Sequence, residues 1–250
     1  TDSPTAAASL ESGKITTVAG AATKLTITSP TETKYVRNGA TQSITIAVTD
    51  QFGNPKPVDA DLTVSLTIIE AVGGRVGTIP PTATISAGSS SVTVNYDLAT
   101  YGTVGSYCKI YASAPGLAGA TSPKLITRAA SGTTVSITDD LSTPIPAGGS
   151  DQFVVTVDQA QAGINVTFTV TWTVATGTIS APWVLTGSDG KAAVTLTAPT
   201  KAGATAYITA KAYDADGTQI GTTLTSFTAT VTAGPATKLV VKTYEDLGLT

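Results

Sequence analysis

The sequence predicts an all-β chain made of tandem sandwiches with about seven strands each. Three observations predict it. The composition suits pleated sheet: 41% of the 250 residues are hydrophobic and only 12% are charged, while 24 Gly and 13 Pro punctuate the chain. Much of the rest is Thr and Val, whose branched side chains pack well on a half-buried pleated surface. Short runs alternate apolar and polar residues with period two between turn signals. The chain also repeats itself. "AATKLTI" at 21–27 returns as "PATKLVV" at 235–241, with Thr23 and Thr237 standing 214 positions apart. Self-similarity at long period is the mark of a modular array.

A weaker copy, "GTTVSI" at 132–137, divides that interval. Leu25 and Val135 are 110 apart, and Val135 and Leu239 are 104 apart. Each step is the length of one ordinary domain. The segment "KITTVAG" at 14–20 matches "TATVTAG" at 228–234. The expected organisation is therefore the end of a preceding module or linker at 1–20, one sandwich at 21–130, a second at 131–234, and the first strand of a following module at 235–250.

The elements follow in order. In the first module, alternation places strands at 25–29, 43–49, 62–69, 82–86, 91–96, 107–113 and 124–129. They are separated by "DQFGNP" at 50–55, Gly73-Gly74 and Pro80-Pro81. In the second, strands are expected at 135–138, 152–157, 165–174, 183–185, 192–197, 206–213 and 224–232. Gly148-Gly149, Asp189-Gly190 and Asp216-Gly217 supply the turns. Seven short strands per hundred residues with turns every 8–12 residues describe an immunoglobulin-like sandwich. The Cys…Trp…Cys signature is missing, so the core closes on apolar packing. The one cysteine, Cys108, falls on the inward face of the run at 107–113, as a small buried residue or the source of an intermolecular disulfide.

Composition narrows the function. The net charge is −3 with no basic stripe, which removes the electrostatic footprint of a nucleic-acid binder. No apolar run approaches the ~20 residues that span a bilayer as a helix. The chain has no His to serve as a general base, and its acids sit in expected turns. An enzyme is not expected.

With the turns placed, the pattern resembles the bacterial Ig-like repeats of invasin, intimin and many bacterial and archaeal surface proteins. The residues that carry the likeness are "TDQFGNPKPVDADLTVSL" at 49–66 and "TGSDGKAAVTLTAPTKAGATAYITAKA" at 186–212. The resemblance implies a structural, non-catalytic, extracellular role at the cell surface. The leading expectation is a segment of a self-assembling surface layer (S-layer), whose partners are copies of itself and the neighbouring modules. The alternatives are the stalk of an adhesin, or a carbohydrate-binding accessory of a secreted enzyme. The linkers are only a few residues long, so modules must abut, which favours a semi-rigid rod or plate.

Four features are candidate sites. Asn165-Val166-Thr167 is an N-glycosylation triplet. Acid pairs are candidates for calcium, the one cofactor to expect: Asp139 with Asp140, Asp214 with Asp216, and Asp59 with Asp61. "DADG" at 214–217 is too short for an EF-hand loop, and its simpler role is a hairpin turn with Gly217 at positive φ. Trp183, beside a loop, is the candidate platform for a sugar, whereas Trp172 shares a face with Val166, Phe168 and Val170 and reads as core. Finally, "TGSDGKAAVTL" at 186–196 has the polar glycine content of an ion cradle. Its alternation nonetheless makes it a turn ahead of a strand whose Ala192, Val194 and Leu196 face inward.

Overall fold

A computed structural model describes residues 18–98, 102–138 and 144–234, and they form two β bodies joined end to end. Of the expected end of a preceding module or linker at 1–20, residues 1–17 lie outside the described residues, as does the expected first strand of a following module at 235–250. The first body has strands β1 (Lys24–Ser29), β2 (Lys34–Arg37), β3 (Thr41–Thr49), β4 (Leu62–Val72), β5 (Thr82–Ile85), β6 (Ser91–Asp97), β7 (Tyr107–Ala114), β8 (Leu117–Thr121) and β9 (Leu125–Arg128). The second has β10 (Val135–Ile137), β11 (Ile145–Pro146), β12 (Ser150–Val157), β13 (Asn165–Trp172), β14 (Thr178–Ile179), β15 (Trp183–Leu185), β16 (Lys191–Thr197), β17 (Thr205–Tyr213) and β18 (Gln219–Thr232), with one 3-10 turn at Asp158–Ala160.

In the first body, β1, β3 and β6 form one layer, and β2, β9, β7, β4 and β5 the other. Strand β8 joins them, pairing antiparallel with β7 and parallel with β1. Leu25, Ile44, Ile46 and Val48 meet Val64, Leu66, Ile110 and Leu125 between the layers. Cys108 lies in the same core with no exposure. Its thiol donates to Tyr96 Oη at 3.4 Å, and burial pushes its pKa up, which keeps it a protonated, unreactive thiol.

The second body packs a four-stranded sheet, β10-β12-β16-β14, on a five-stranded one, β11-β18-β17-β13-β15. The period-two expectation is met along β16: Ala192, Val194 and Leu196 are buried while Ala193 and Thr195 face solvent. Opposite them, Phe153 of β12 meets Phe168 of β13 edge to face, with centroids 6.0 Å apart at 82°. Trp172 packs half-buried against this core. The "SDGK" turn closes by bonds from Lys191 N to Asp189 Oδ1 (3.1 Å) and from Gly190 N to Gly187 O (2.9 Å). Its polar groups serve the turn itself.

Four short strands escape period-two reading: β2, β8, β11 and β14. Each has five residues or fewer. Strand β18 also begins at Gln219, five residues ahead of the expectation, because a register shift lets it follow β17 from the first residue of the hairpin.

Candidate functional site: the inter-module joint

The place where unlike chemistry converges is the joint between the bodies. Arg128, the last residue of β9, leaves the first module with a three-nitrogen guanidinium aimed across the boundary. Its Nε lies 2.9 Å from Asp214 Oδ2 and a terminal nitrogen lies 2.8 Å from Asp216 Oδ2. Asp214 Oδ1 also accepts from Ala129 N (2.9 Å) and from Ala215 N (2.7 Å). The hairpin between β17 and β18 thus holds both the side chain and the backbone of the exit linker. An arginine fork fits this task because one planar group serves two carboxylates. In a chain with only 12% charged residues, such convergence is selective.

A second grip lies beside it. Gln161 follows the 3-10 turn and is fully buried. Its Oε1 accepts from Ala130 N (2.8 Å) and lies 3.4 Å from Asn38 Nδ2, while its Nε2 donates to Thr133 Oγ1 (2.8 Å). Asn38, in the β2–β3 turn, is itself tied to Gly102 through both N–H and carbonyl. Val104 N donates to Ala162 O at 2.8 Å, and the Val104 side chain joins the apolar core of the second module. The joint therefore combines ion pairs, an amide relay and a buried apolar plug. A polar hollow of about 140 Å³, lined by Arg37, Arg128, Thr133, Asp214 and Gln219, remains at its side.

Electrostatics favour the closed arrangement. Partial burial pushes the Asp216 carboxyl up, but the hydrogen bonds from Thr218 and the charge of Arg128 outweigh it, and the net shift is downward. The carboxylate is thus held ionised against its cation at neutral pH.

The other end of the first module has its own clasp. Asp50 accepts from Asn54 Nδ2 (2.9 Å), Gly20 N (3.0 Å), Phe52 N (2.9 Å) and Asn54 N (2.9 Å). The Asn54 side-chain bond leads in lowering its pKa to about 2, with the backbone N–H groups adding to it against the opposing effect of burial. The sign is that of a depressed acid. The unfolded carboxyl titrates near ~3.9, so its contribution is complete above that pH and is lost as pH falls through about 2. Thermal midpoints measured from pH 5 to pH 2 should fall less steeply for Asp50→Asn than for the parent chain, with a lower midpoint at neutral pH.

The sequence candidates are distributed as follows. Asp214 and Asp216 come together, on Arg128. Gly217 has φ 80° in the same hairpin. Asp61 Oδ1 accepts from Ala87 N at 2.8 Å, and Asp59 is exposed. Asp139 and Asp140 lie outside the described residues. Among the described residues no group of three or more His, Cys, Asp or Glu is placed to hold a metal ion. Asn165 begins β13 half-buried, and its Oδ1 is buried without a hydrogen-bond partner. Trp183 is 56% exposed on the edge strand β15, paired with Thr167, while Leu185 pairs with Asn165. The sequon and the tryptophan thus share one outer face.

Sequence reasoning did not single out Arg128, Gln161, Asn38 or Val104. Their partners across the joint lie 28 to 123 positions away, and no local pattern marks them. The one signal was an arginine at the end of a strand, next to the short linker between the modules.

Against solved structures, the chain is similar to the Yersinia pseudotuberculosis adhesin InvE, at 18% identity and a TM-score of 0.50, over 81% of this chain and 58% of that one. It is also similar to the Escherichia coli adhesin FdeC (16% identity, TM-score 0.36, 84% and 64% covered). A further match is a C-terminal fragment of intimin in complex with the intimin-binding domain of its translocated receptor (15%, 0.34, 85% and 64%). The chain spans little more than half of the InvE structure. With InvE the likeness is one of fold: tandem Ig-like sandwiches, the fold that the turn motifs resemble. No protein-family model matches the sequence, and no curated protein does.

Proposed function

We propose that this chain is a non-catalytic structural segment of an extracellular surface protein, in which two Ig-like modules act as one stiff unit of a stalk. The observation that carries this reading is the joint, where Arg128 bridges Asp214 and Asp216 while Val104 enters the neighbouring core. A flexible tether needs none of these. A stalk needs them, because a spacer transmits position only as far as its joints hold an angle. The fold of the adhesin InvE supports the same reading. Small-angle scattering of the purified chain should give the profile of a single elongated body of fixed angle, at every concentration. A profile that requires an ensemble of angles would sink it.

A second reading, in which copies pack laterally in a self-assembling surface layer, is favoured by one observation. Trp183, Leu185 and Tyr207 stand exposed on the outer face of the second module, where large apolar groups mark contact surfaces. Negative-stain images showing a lattice, abolished by Trp183→Ala at unchanged thermal midpoint, would replace the stalk reading. Retention of the chain on a polysaccharide, lost in the same variant, would point instead to sugar binding. Among the described residues no helix is long and apolar enough to cross a membrane.

A further inference from the structure

The entry end of the first module is built from the same elements as the end of the second that grips Arg128. The hairpin between β7 and β8 (Ala114-Pro115-Gly116-Leu117) takes the place of the Asp214–Thr218 hairpin, since both join corresponding strands. The loop between β3 and β4 takes the place of the loop that carries Gln161. The correspondence extends to a single hydrogen bond. Gly20 N donates to Asp50 and Ala130 N donates to Gln161, and Gly20 and Ala130 are 110 positions apart, the step that separates Leu25 from Val135. Each module thus catches the backbone of the linker entering it with a polar side chain from the same loop.

The same step places Val18 where Arg128 stands. Val18 is 86% exposed. On the hairpin side, the five-residue loop Asp214–Thr218, closed by Tyr213 and Gln219, is replaced by Pro115-Gly116, closed by Ala114 and Leu117, and no carboxylate remains there. The arginine position is therefore apolar, and the hairpin that would face it carries no acid. Beside them lies a hollow of about 470 Å³, lined by Ala22, Pro57, Val58, Leu62, Pro115 and Leu117, with Lys56 and Asp59 also at its wall. At the position of Arg128 in the second module, 104 residues on, the chain has Thr232, so the arginine is not a feature of every joint.

We infer that this hollow is an apolar joint surface that receives the end of another Ig-like module placed ahead of Val18 in the same polypeptide. Its occupant is a module end that is apolar at the arginine position, and it seats on Pro115 and Leu117 by burial rather than by charge. Removing apolar area from water is non-directional. Such a joint holds two modules together while fixing their angle less sharply than a guanidinium fork does. Successive joints along the chain then differ in kind: a charge-locked one at Arg128 and an apolar one at Val18. The inference deepens the stalk reading and rests on it.

The test is a three-module chain in which a copy of residues 21–127 is joined directly ahead of Val18 of the full chain. Order across the new joint is read from nitroxide distance distributions between the added module and the first, and across the Arg128 joint in parallel. The expected result is an ordered new joint that Leu117→Asp disrupts and Arg128→Ala leaves intact. An added module that moves freely in the unsubstituted chain, or order that survives Leu117→Asp, overturns the inference. A freely moving Arg128 joint in the parent chain would instead overturn the stalk reading and leave the apolar seat to be decided by the Leu117 variant alone.

Discussion

Arg128→Ala should uncouple the two modules while leaving each sandwich folded. Asp214 is almost wholly enclosed, with a side chain only 3% exposed, and Arg128 itself is 17% exposed. Removing one partner of a buried pair costs about 3–5 kcal/mol, because the other charge is stranded. Here the cost is smaller. Asp214 keeps the N–H groups of Ala129 and Ala215, and the joint can open to hydrate the carboxylate. A loss of about 2–3 kcal/mol in the docked state is expected, which is roughly 30- to 150-fold in the docked-to-open ratio. Arg128→Lys should recover part of this, since an ammonium is a point charge that cannot serve two carboxylates as a planar fork does. The measurement is 15N relaxation: in the parent chain both modules should report one correlation time, and in Arg128→Ala two shorter ones. A variant that still tumbles as a single body would show that Val104 and Gln161 hold the joint without the arginine.

That outcome bears on what a sequence can reveal. The sandwich class was legible because each strand carries its own evidence. Along β12 and β16 the inward Phe153, Val155, Val194 and Leu196 alternate with the outward Gln152, Val154, Ala193 and Thr195, and this alternation is a local property. The joint has no local property. Asp214 and Asp216 stood out as acids in a turn, candidates for a metal ion although a hairpin was their simpler role. Their partner Arg128 is 86 positions from Asp214 and lies on the other module. Only the closing of two sandwiches against each other brings them together. The same holds for Gln161, which in the sequence is one polar residue among several in "VDQAQAG", yet in the fold is fully buried and joins the linker to Asn38. Turn residues were found for their conformation; their second use, as the surface a neighbour docks on, is written in the pairing of ends rather than in either end. The exposed pair Trp183 and Leu185 is an intermediate case. Their strand was expected, but which side of β15 faces water depends on its pairing with β13.

Gly163→Ala should open the same joint by shape rather than charge, and Gly203→Ala provides the control. Both glycines have left-handed backbone, with φ of 87° and 84°, so alanine at either position meets the same intrinsic penalty of roughly 1–2 kcal/mol. Their surroundings differ. A methyl group at 203 would meet nothing within 4 Å. At 163 it would run into the Val104 carbonyl oxygen and the Thr103 methyl group, both in the first module. Backbone cannot swing aside as the end of a long side chain does, so the relief is separation of the modules, with loss of the 2.8 Å bond from Val104 N to Ala162 O and exposure of the Val104 side chain. Fully burying a valine contributes about 1.5–3 kcal/mol, so the second effect is as large as the first. Gly203→Ala should lower the thermal midpoint of the second module and leave the inter-module distance distribution narrow. Gly163→Ala should lower the midpoint further and broaden the distribution. Equal midpoints and equal widths in the two variants would mean that the modules touch too lightly at Gly163 for the joint to fix an angle. The stiffness would then rest on Arg128 and Gln161.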